Sequence, residues 1–192
     1  DAVTLGTATT LTGVGNTFLS TVSGAALTVN DSGTTTLGGA VNVASLTTNA
    51  GGTTAINGGS VTTTGTQTYG DAVTLGAATS ITGVGNTFGS TVNGPGALTV
   101  NDSGTTSFNG AVGNTTALAS LTTNAGGTTA INGGSVTTTG AQTYGDAVTL
   151  GTATTLTGVG NTFLSTVNGA ALTVNDSGTT TLGGAVNVTS LT

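Results

Sequence analysis

Six aspartates carry all of the charged chemistry in this chain. They stand at Asp1, Asp31, Asp71, Asp102, Asp146 and Asp176, and the chain has no Lys, Arg, His or Cys. In general acid–base catalysis an aspartate needs a second catalytic group close to it, and glycoside hydrolysis needs a pair of carboxylates. Successive aspartates are far apart along the chain, and no two share a short segment. The sequence therefore predicts that the protein is not an enzyme and has no cofactor.

Calcium is the metal that side-chain oxygens of this kind would favour. Each NDSG segment, such as residues 30–33, offers amide, carboxylate and hydroxyl oxygens. Calcium-binding β-roll repeats place an aspartate in every nonapeptide, and this chain does not. An isolated Asp at a turn usually caps its own backbone. We therefore expect solvated turn corners and no metal site.

The lack of basic residues limits the partners. The net charge is −6 with no cation to offset it. Proteins that bind nucleic acids or anionic lipid surfaces use Lys and Arg against phosphate groups, so both classes of partner are excluded. No run of about 18 apolar residues is present, and none of the chain is predicted to insert into a membrane. Trypsin-like proteases also have no cleavage site.

A long internal repeat covers the whole chain. The copies are residues 1–70, 71–145 and 146–192, and the third stops partway through the phrase. Segment 1–47 matches 146–192 except at Ser23/Asn168 and Ala44/Thr189. Such a repeat indicates a stacked architecture, so we interpret 1–192 as a single segment of a longer array.

A shorter phrase, G-x-T-x-Φ with Φ apolar, recurs inside the long one. Its apolar residues mostly follow a 19-residue step: Phe18, Leu37, Ile56, Tyr69, Phe88, Phe108, Ile131, Tyr144, Phe163 and Leu182. A valine follows each after a short gap, and the first six of these are Val22, Val41, Val61, Val73, Val92 and Val112. We interpret these two sets as ladders in the core.

The local pattern is that of short strands. Gly at this density and runs of β-branched Thr and Val disfavour helix. Short segments alternate apolar and polar side chains between Gly, Asn and Asp turn residues. Three short strands in each 19-residue step predict an all-β fold, a right-handed parallel β-helix of roughly ten coils.

Two steps of the short phrase do not fit this regular spacing. The steps from Ile56 to Tyr69 and from Ile131 to Tyr144 are both shorter than the others, by about one third. Either that coil lacks a strand or the segment folds differently, and the sequence leaves both alternatives open.

The polar turn and surface residues suggest three further features. Asn30, Asn49, Asn101, Asn124 and Asn175 stand at turn corners, where stacked asparagines share amide hydrogen bonds. Asn-x-Ser/Thr sequons, candidate glycosylation sites, occur at Asn30, Asn101, Asn114, Asn175 and Asn187. Outward T-x-T pairs such as Thr34/Thr36 could form an ice- or carbohydrate-binding face, but Gly15 and Ala55 interrupt the column.

The strings GDAVTLG, LTTNAGGTTAINGG and TVNGAALTVN, with the 19-residue spacing, resemble filamentous-haemagglutinin-type bacterial surface proteins and related β-strand-repeat exoproteins. The resemblance extends over essentially all 192 residues. It implies a secreted or cell-surface β-helix shaft, often exported through an outer-membrane partner. None of the family's binding residues corresponds to a position in this chain.

Together these features predict a structural repeat module. We expect the rigid shaft of an extracellular or cell-surface adhesin, or a fibre of a biofilm matrix. Self-association of coil stacks, end to end or laterally, is the expected partnership, with a carbohydrate or cell-surface target as a further partner. The alternative is an ice- or carbohydrate-binding solenoid that uses an exposed Thr/Asn face.

Overall fold

The computed structural model describes residues 1–192, and all of its regular elements are β-strands. The first copy supplies β1 (Val3–Leu5), β2 (Thr9–Gly13), β3 (Thr17–Phe18), β4 (Val22–Gly24), β5 (Leu27–Asp31), β6 (Thr34–Leu37), β7 (Val41–Val43), β8 (Leu46–Thr48), β9 (Thr53–Ile56), β10 (Ser60–Thr63) and β11 (Gln67–Tyr69). The second supplies β12 (Ala72–Leu75), β13 (Thr79–Gly83), β14 (Asn86–Phe88), β15 (Val92–Asn93), β16 (Leu98–Asp102), β17 (Thr105–Phe108), β18 (Leu121–Thr123), β19 (Thr128–Ile131), β20 (Ser135–Thr137) and β21 (Gln142–Tyr144). The third supplies β22 (Ala147–Leu150), β23 (Thr154–Gly158), β24 (Asn161–Phe163), β25 (Val167–Gly169), β26 (Leu172–Asp176), β27 (Thr180–Leu182) and β28 (Val186–Val188).

The strands stack in parallel, each on the strand one coil earlier. Val22, for example, pairs with Val3 in the coil below and with Val41 in the coil above. Because the strands are short and Gly-rich turns separate them, the chain changes direction three times in each coil. The predicted all-β parallel solenoid of about ten coils, with about 19 residues in most of them, is confirmed.

The three sides of the stack are named here by their strands. Face A consists of β1, β4, β7, β10, β13, β16, β18, β21, β24 and β27, and face B of β2, β5, β8, β11, β14, β17, β19, β22, β25 and β28. Face C contains β3, β6, β9, β12 and β15, then β20, β23 and β26. Val112 joins its two parts by bridging Val92 to Val136, and Leu191 bridges to Leu172 at its upper end.

The two short steps mark a change of face, so neither sequence-based alternative is correct. Ile56 stacks between Leu37 and Leu75 on face C. Tyr69 lies on face B, where it stacks between Thr48 and Phe88. No strand is missing, because β10 on face A lies between them. The step from Ile56 to Tyr69 is two thirds of a coil, and it moves the phrase by two faces.

The expected ladders are therefore divided among the faces. The apolar residues of the short phrase occupy face C (Phe18, Leu37, Ile56), then face B (Tyr69, Phe88, Phe108, Ile131), then face A (Tyr144, Phe163, Leu182). Likewise, Val22, Val41 and Val61 belong to face A, and Val73, Val92 and Val112 to face C. All of them are buried except Phe18, which is half-buried in the first coil, and Leu182, which is 43% exposed in the last.

The long repeat and the coil are out of phase. The first copy contains the eleven strands β1–β11, and the second contains β12–β21 together with the bridge residue Val112. Eleven strand positions on a three-sided coil are three full turns and two further faces. Equivalent strands β1, β12 and β22 consequently lie on faces A, C and B. Each copy rises by about 18 Å, given strands about 4.8 Å apart, and is rotated to a different side.

The inner sides of the faces meet in one continuous core. Thirty buried apolar residues form a single cluster from Val22 to Leu172. Because the coil spacing is close to the distance at which rings stack, aromatic residues in one column lie over one another: Tyr69 lies 5.1 Å from Phe88, and Phe88 lies 5.1 Å from Phe108. Stacked rings of this kind contribute beyond simple apolar burial.

The buried tyrosine hydroxyl is matched by a buried glutamine. Tyr69 donates to Gln67 Oε1 at 2.7 Å, and Gln67 Nε2 donates to the Thr82 carbonyl oxygen at 2.8 Å. Tyr144 and Gln142 repeat the contact in the second copy. Burial raises the pKa of both tyrosines, so their hydroxyls remain protonated donors. The core thus accommodates polar groups at the same position in the first two copies.

Candidate functional site

The most concentrated polar arrangement is a carboxylate held between two coils. The Asp31 side chain is buried at the end of β5. Its Oδ2 accepts hydrogen bonds from the Asn16 backbone nitrogen at 2.7 Å and from Asn16 Nδ2 at 3.2 Å, in the coil below. Gly33 N–H donates to Oδ1 at 3.0 Å and the Thr35 hydroxyl to Oδ2 at 3.2 Å. We call this arrangement the inter-coil clamp.

The clamp is repeated at Asp102. Gly85 and Asn86 of the coil below donate their backbone N–H groups to the carboxylate at 2.6 and 2.9 Å. Gly104 N–H and the Thr106 hydroxyl donate at 2.8 and 2.9 Å. Asp102 is fully buried, and charge-assisted bonds of this kind are about twice as strong as neutral ones.

The third clamp is centred on Asp176, with the equivalent residues. Gly160 and Asn161 donate from the coil below, and Gly178 and Thr180 donate from its own coil. Two short motifs supply the parts, D-S-G-x-T in one coil and G-N in the coil below. Because the long repeat is out of phase, the three clamps lie at different corners of the solenoid. Asp31 separates faces B and C, Asp102 faces A and B, and Asp176 faces C and A.

Asp71 and Asp146 lie two coils above the first two clamps and have fewer partners. Asp71 accepts from Gly52 N–H at 2.8 Å and from the Thr54 hydroxyl at 3.2 Å. Asp146 accepts from Gly127 N–H at 2.9 Å, but its buried Oδ2 has no hydrogen-bond partner. The buried hydroxyl of Thr129, equivalent to that of Thr54, has none either.

Three of these aspartates have shifted pKa values, and burial and the surrounding N–H donors set the direction of each shift. At Asp31 burial opposes ionisation, but the N–H groups of Gly33 and Asn16 outweigh it and hold the pKa below its usual range. The N–H groups of Gly178 and Gly160 lower the pKa of Asp176 to about 2. At Asp146 burial raises the pKa, and the nearby Asp102 carboxylate adds to the effect.

The aspartates are therefore not the solvated turn corners that the sequence suggested. Asp31, Asp71, Asp102 and Asp146 are each at most 3% exposed. One signal could have shown this, because the inward alternation of Leu27 and Val29 continues to Asp31. In each clamp, N–H and O–H groups of the chain itself occupy the acceptor positions of the carboxylate. The carboxylate therefore connects parts of the chain. No group of three or more acidic side chains comes together in a way that could hold a metal ion.

Two of the five corner asparagines bond to backbone groups, and none of the five bonds to another asparagine. Asn49 Oδ1 accepts from Asp31 N–H, and Asn124 Oδ1 accepts from Asp102 N–H, both at 2.8 Å. The one amide–amide bond joins Asn132 Nδ2 to Asn109 Oδ1 at 2.9 Å. The expected sharing of amide hydrogen bonds among the five corner asparagines is therefore wrong: Asn49 and Asn124 accept from backbone N–H groups instead, and Asn101 bonds to Ser80.

The sequons differ in accessibility. The side chains of Asn30, Asn114, Asn175 and Asn187 are exposed. Asn101 is half-buried and its Nδ2 lies 3.2 Å from the Ser80 hydroxyl. Glycosylation at these positions stays a prediction.

Outward hydroxyls form single columns on two faces. On face A seven consecutive coils present Ser60, Ser80, Thr99, Thr122, Thr143, Thr162 and Thr181. On face B six consecutive coils present Thr10, Thr28, Thr47, Thr68, Thr87 and Ser107, and Ala130 interrupts the column. A second column of hydroxyls beside the face A column is short. Thr62 and Thr82 belong to it, and Asn101 occupies the next position.

The surface has one shallow cleft, on face A, with a volume of about 180 Å³. Thr79, Ser80 and Thr99 line it with hydroxyl groups, and Gly59, Ala78 and Ala97 complete it. It contains no titratable group and offers hydrogen bonds alone. Elsewhere, apolar Val14, Leu19, Val84, Val159 and Leu164 are exposed singly at turns.

Comparison with known proteins adds no assignment: no family model, curated protein or solved structure matches this chain significantly. No helix in the structure is long and apolar enough to span a membrane.

Proposed function

We propose that this protein is a structural repeat module that forms the rigid shaft of a secreted or cell-surface fibre, either an adhesin or an extracellular matrix filament. The observation that carries the proposal is the inter-coil clamp. It occurs once in each copy, at Asp31, Asp102 and Asp176, and it joins backbone to backbone across the stack. Strong contacts between successive coils are what a rigid rod requires.

The relation of repeat to coil also supports a shaft. A copy of eleven strand positions ends on a face where the next copy can begin, because all three faces accept the same strands. Solenoids of this kind add the stabilities of their units and of the contacts between neighbours. Length can therefore change by whole copies without a new kind of contact.

The outer surface suits an extracellular setting. Among the six aspartates, only Asp1 is exposed, so hydroxyl and amide groups dominate the surface. The absence of Lys and Arg leaves no bond for trypsin-like proteases. These properties favour persistence outside the cell, and they provide no counter-charge for nucleic acids or anionic lipids.

End-to-end association with a second copy is part of the proposal. The first coil leaves Val3, Leu11 and Phe18 only partly buried, and the last coil does the same for Val186 and Val188. Where a stack of these coils ends without a cap, its strand edges offer backbone donors and acceptors to another chain. A second molecule stacked in parallel would satisfy both the edges and the apolar residues.

Electron microscopy of lengthened proteins tests the shaft directly. The ten coils predict a rod about 50 Å long, and each added copy, taken from segment 71–145, should lengthen it by about 18 Å. Immunogold labelling of the native cells should place the protein on the surface or in the surrounding matrix. Rods that do not lengthen with added copies, or labelling confined to the cell interior, would reject the proposal.

The hydroxyl columns support a second candidate, an ice- or carbohydrate-binding face. The column from Ser60 to Thr181 on face A is unbroken over seven coils, with one hydroxyl in each. Thr122→Val and Thr143→Val would remove hydroxyls from its centre and keep the β-branched shape. Co-sedimentation with insoluble polysaccharides and inhibition of ice recrystallisation test this candidate. Binding that the double variant does not weaken would exclude face A.

A further inference from the structure

Five Asn-Gly pairs occur in the chain, at Asn57, Asn93, Asn109, Asn132 and Asn168. An asparagine followed by glycine can modify itself, because the glycine backbone nitrogen is able to attack the side-chain amide carbon. Glycine favours this step because it has no Cβ to hinder the approach and the backbone can rotate freely. The attacking nitrogen must first lose its proton, so a hydrogen bond from that N–H to the protein opposes the reaction.

Three of the pairs are restrained in this way. Gly58 N–H donates to the Leu37 carbonyl oxygen at 2.9 Å, and Gly133 N–H donates to that of Phe108 at 3.1 Å. Gly94 N–H donates to the Thr116 carbonyl oxygen at 3.1 Å. Each bond ties the nitrogen to a neighbouring coil.

The fourth pair is held within a strand. Gly169 is the last residue of β25, which pairs on one side with β22 and on the other with β28. Its backbone is therefore fixed by the ladder, and turning the nitrogen toward the Asn168 side chain would disturb the pairing.

Asn109–Gly110 is the pair without such a restraint. The N–H of Gly110 has no hydrogen-bond acceptor in the structure, and the Asn109 side chain is exposed. Asn132 Nδ2 donates to Asn109 Oδ1 at 2.9 Å. That bond draws electron density from the amide carbon and makes it a better electrophile. The pair precedes Val112 in the longest coil of the solenoid, the one that separates Leu98 from its partner Leu121.

We propose that Asn109 is a site of spontaneous deamidation. The Gly110 nitrogen loses its proton to hydroxide and bonds to Asn109 Cγ, and the Cγ–Nδ2 bond breaks. Nδ2 takes up a proton from water and leaves as ammonia. The product that remains in the chain is a five-membered succinimide ring. Water then opens the ring at one of its two carbonyl carbons and gives Asp or isoaspartate. The reaction consumes water only, releases ammonia and involves no oxidation or reduction.

The two products have different consequences for the stack. The Asp form retains the acceptor for Asn132 Nδ2 and adds a negative charge to a surface with almost none. The isoaspartate form inserts an extra carbon into the main chain between β17 and Val112. Copies 1 and 3 have Gly38 and Gly183 at this position, so the modification is confined to the second copy.

Peptide mass spectrometry of the aged protein tests the proposal. The folded protein is incubated in mildly alkaline buffer and digested with pepsin at low pH, which suppresses further reaction. Peptides around Asn57 and Asn132 are otherwise identical, and those extending to Thr66 or Ala141 tell them apart. A parallel sample in urea measures each pair without the fold, and isoaspartate methyltransferase detects the isomer.

We expect Asn109 to deamidate at least about tenfold faster than Asn57 or Asn132 in the folded protein, because the restrained pairs must open first. The rate should rise with pH, and the difference should disappear in urea. Asn109→Gln, which cannot form the five-membered ring, should remove the modification and preserve the fold. The proposal is overturned if Asn57 or Asn132 reacts as fast as Asn109 when folded, or if Asn109 remains an amide while the urea sample reacts.

Discussion

The Asp31 carboxylate holds Asn16 of the preceding coil through two hydrogen bonds, one to its backbone nitrogen at 2.7 Å and one to its side-chain nitrogen at 3.2 Å. Backbone hydrogen bonds connect successive coils along the faces and also at turns, where Ser32 N–H, for example, donates to the Gly13 carbonyl oxygen at 3.2 Å. The carboxylate adds a charged connection at this corner. It also satisfies turn N–H groups that would otherwise be buried without an acceptor.

Replacing the clamp carboxylate should destabilise the solenoid. In Asp102→Asn an amide NH₂ replaces an oxygen that accepts N–H donors, so one donor faces another. Hydrogen bonds to charged groups contribute about 1.5–3 kcal/mol, and we expect a loss of that size in the free energy of unfolding, measured with guanidinium chloride. Asp1→Asn, at an exposed position, is the control and should change little. Equal stability of both variants would show that the clamp contributes nothing.

The low pKa of Asp176 predicts a loss of stability in acid. Its pKa of about 2 in the folded protein lies below the unfolded value of about 3.9. Its contribution is thus fully present above about pH 4 and disappears as the pH falls toward 2. Melting temperatures are measured by circular dichroism from pH 6 to 2, in steps on the order of one pH unit. As the pH falls, they should decrease less steeply for Asp176→Asn than for the parent protein. Parallel curves would contradict the assigned role.

Asp146 should behave in the opposite way, because burial raises its pKa. A raised pKa favours folding only below the unfolded value of about 3.9, and that contribution is lost as the pH rises through the folded value. The ionised form at neutral pH therefore destabilises the folded protein. Asp146→Asn keeps the acceptor for Gly127 and adds a donor near the unpaired Thr129 hydroxyl.

We expect Asp146→Asn to be at least as stable as the parent protein at pH 7, and the advantage to vanish as the pH falls below the unfolded value of about 3.9. The same melts that serve Asp176→Asn provide the comparison. A variant that is less stable at neutral pH and more stable in acid would reverse the assignment.

Much of the fold was predictable because repetition and side-chain alternation act locally. Strand length, parallel stacking and the 19-residue step all follow from the spacing of residues such as Phe18 and Leu37. The assignment to faces was not predictable from that spacing, since the same phrase suits every face. Only the strand between Ile56 and Tyr69 reveals the change, and its sequence, SVTT, resembles a turn-flanked polar segment as much as a core strand.

The clamp was missed for a related reason. The alternation of Leu27 and Val29 indicates that Asp31 points inward, but the local sequence does not distinguish a carboxylate that bonds to the coil below from one that does not. The difference depends on Asn16, and its position beneath Asp31 can be predicted only when the coil length is known. Burial of a carboxylate is unfavourable unless several donors surround it, and those donors come from a different part of the sequence.

The aromatic column predicts a large effect of a single core truncation. Phe88 stacks between Tyr69 and Phe108, nearly parallel to both, at 7° and 6°. Phe88→Ala would leave a cavity between two rings and should cost about 3–5 kcal/mol, while Phe88→Leu should cost less than about 1.5 kcal/mol. Denaturant unfolding measures the loss, and near-ultraviolet circular dichroism reports Tyr69. Equal losses for the two variants would show that the column is loosely packed.

Close approach of turns in successive coils predicts that one glycine cannot be replaced. A Cβ on Gly52 would lie 2.2 Å from the Gly33 carbonyl oxygen and 2.8 Å from that of Asp31. Since the ladders on both sides fix the coil spacing, the chain cannot move away, and Gly52→Ala should cost about 1–3 kcal/mol. Gly6→Ala is the matched control, because nothing lies within 4 Å of its Cβ, and reduced freedom of the unfolded chain should make it neutral or stabilising by up to about 1 kcal/mol. Gly127, whose Cβ would lie 2.1 Å from the Gly104 carbonyl oxygen, repeats the test in the second copy. If thermal melts show the same stability for the Gly52 and Gly6 variants, then the turns have room to separate and coil spacing is not fixed by the ladders.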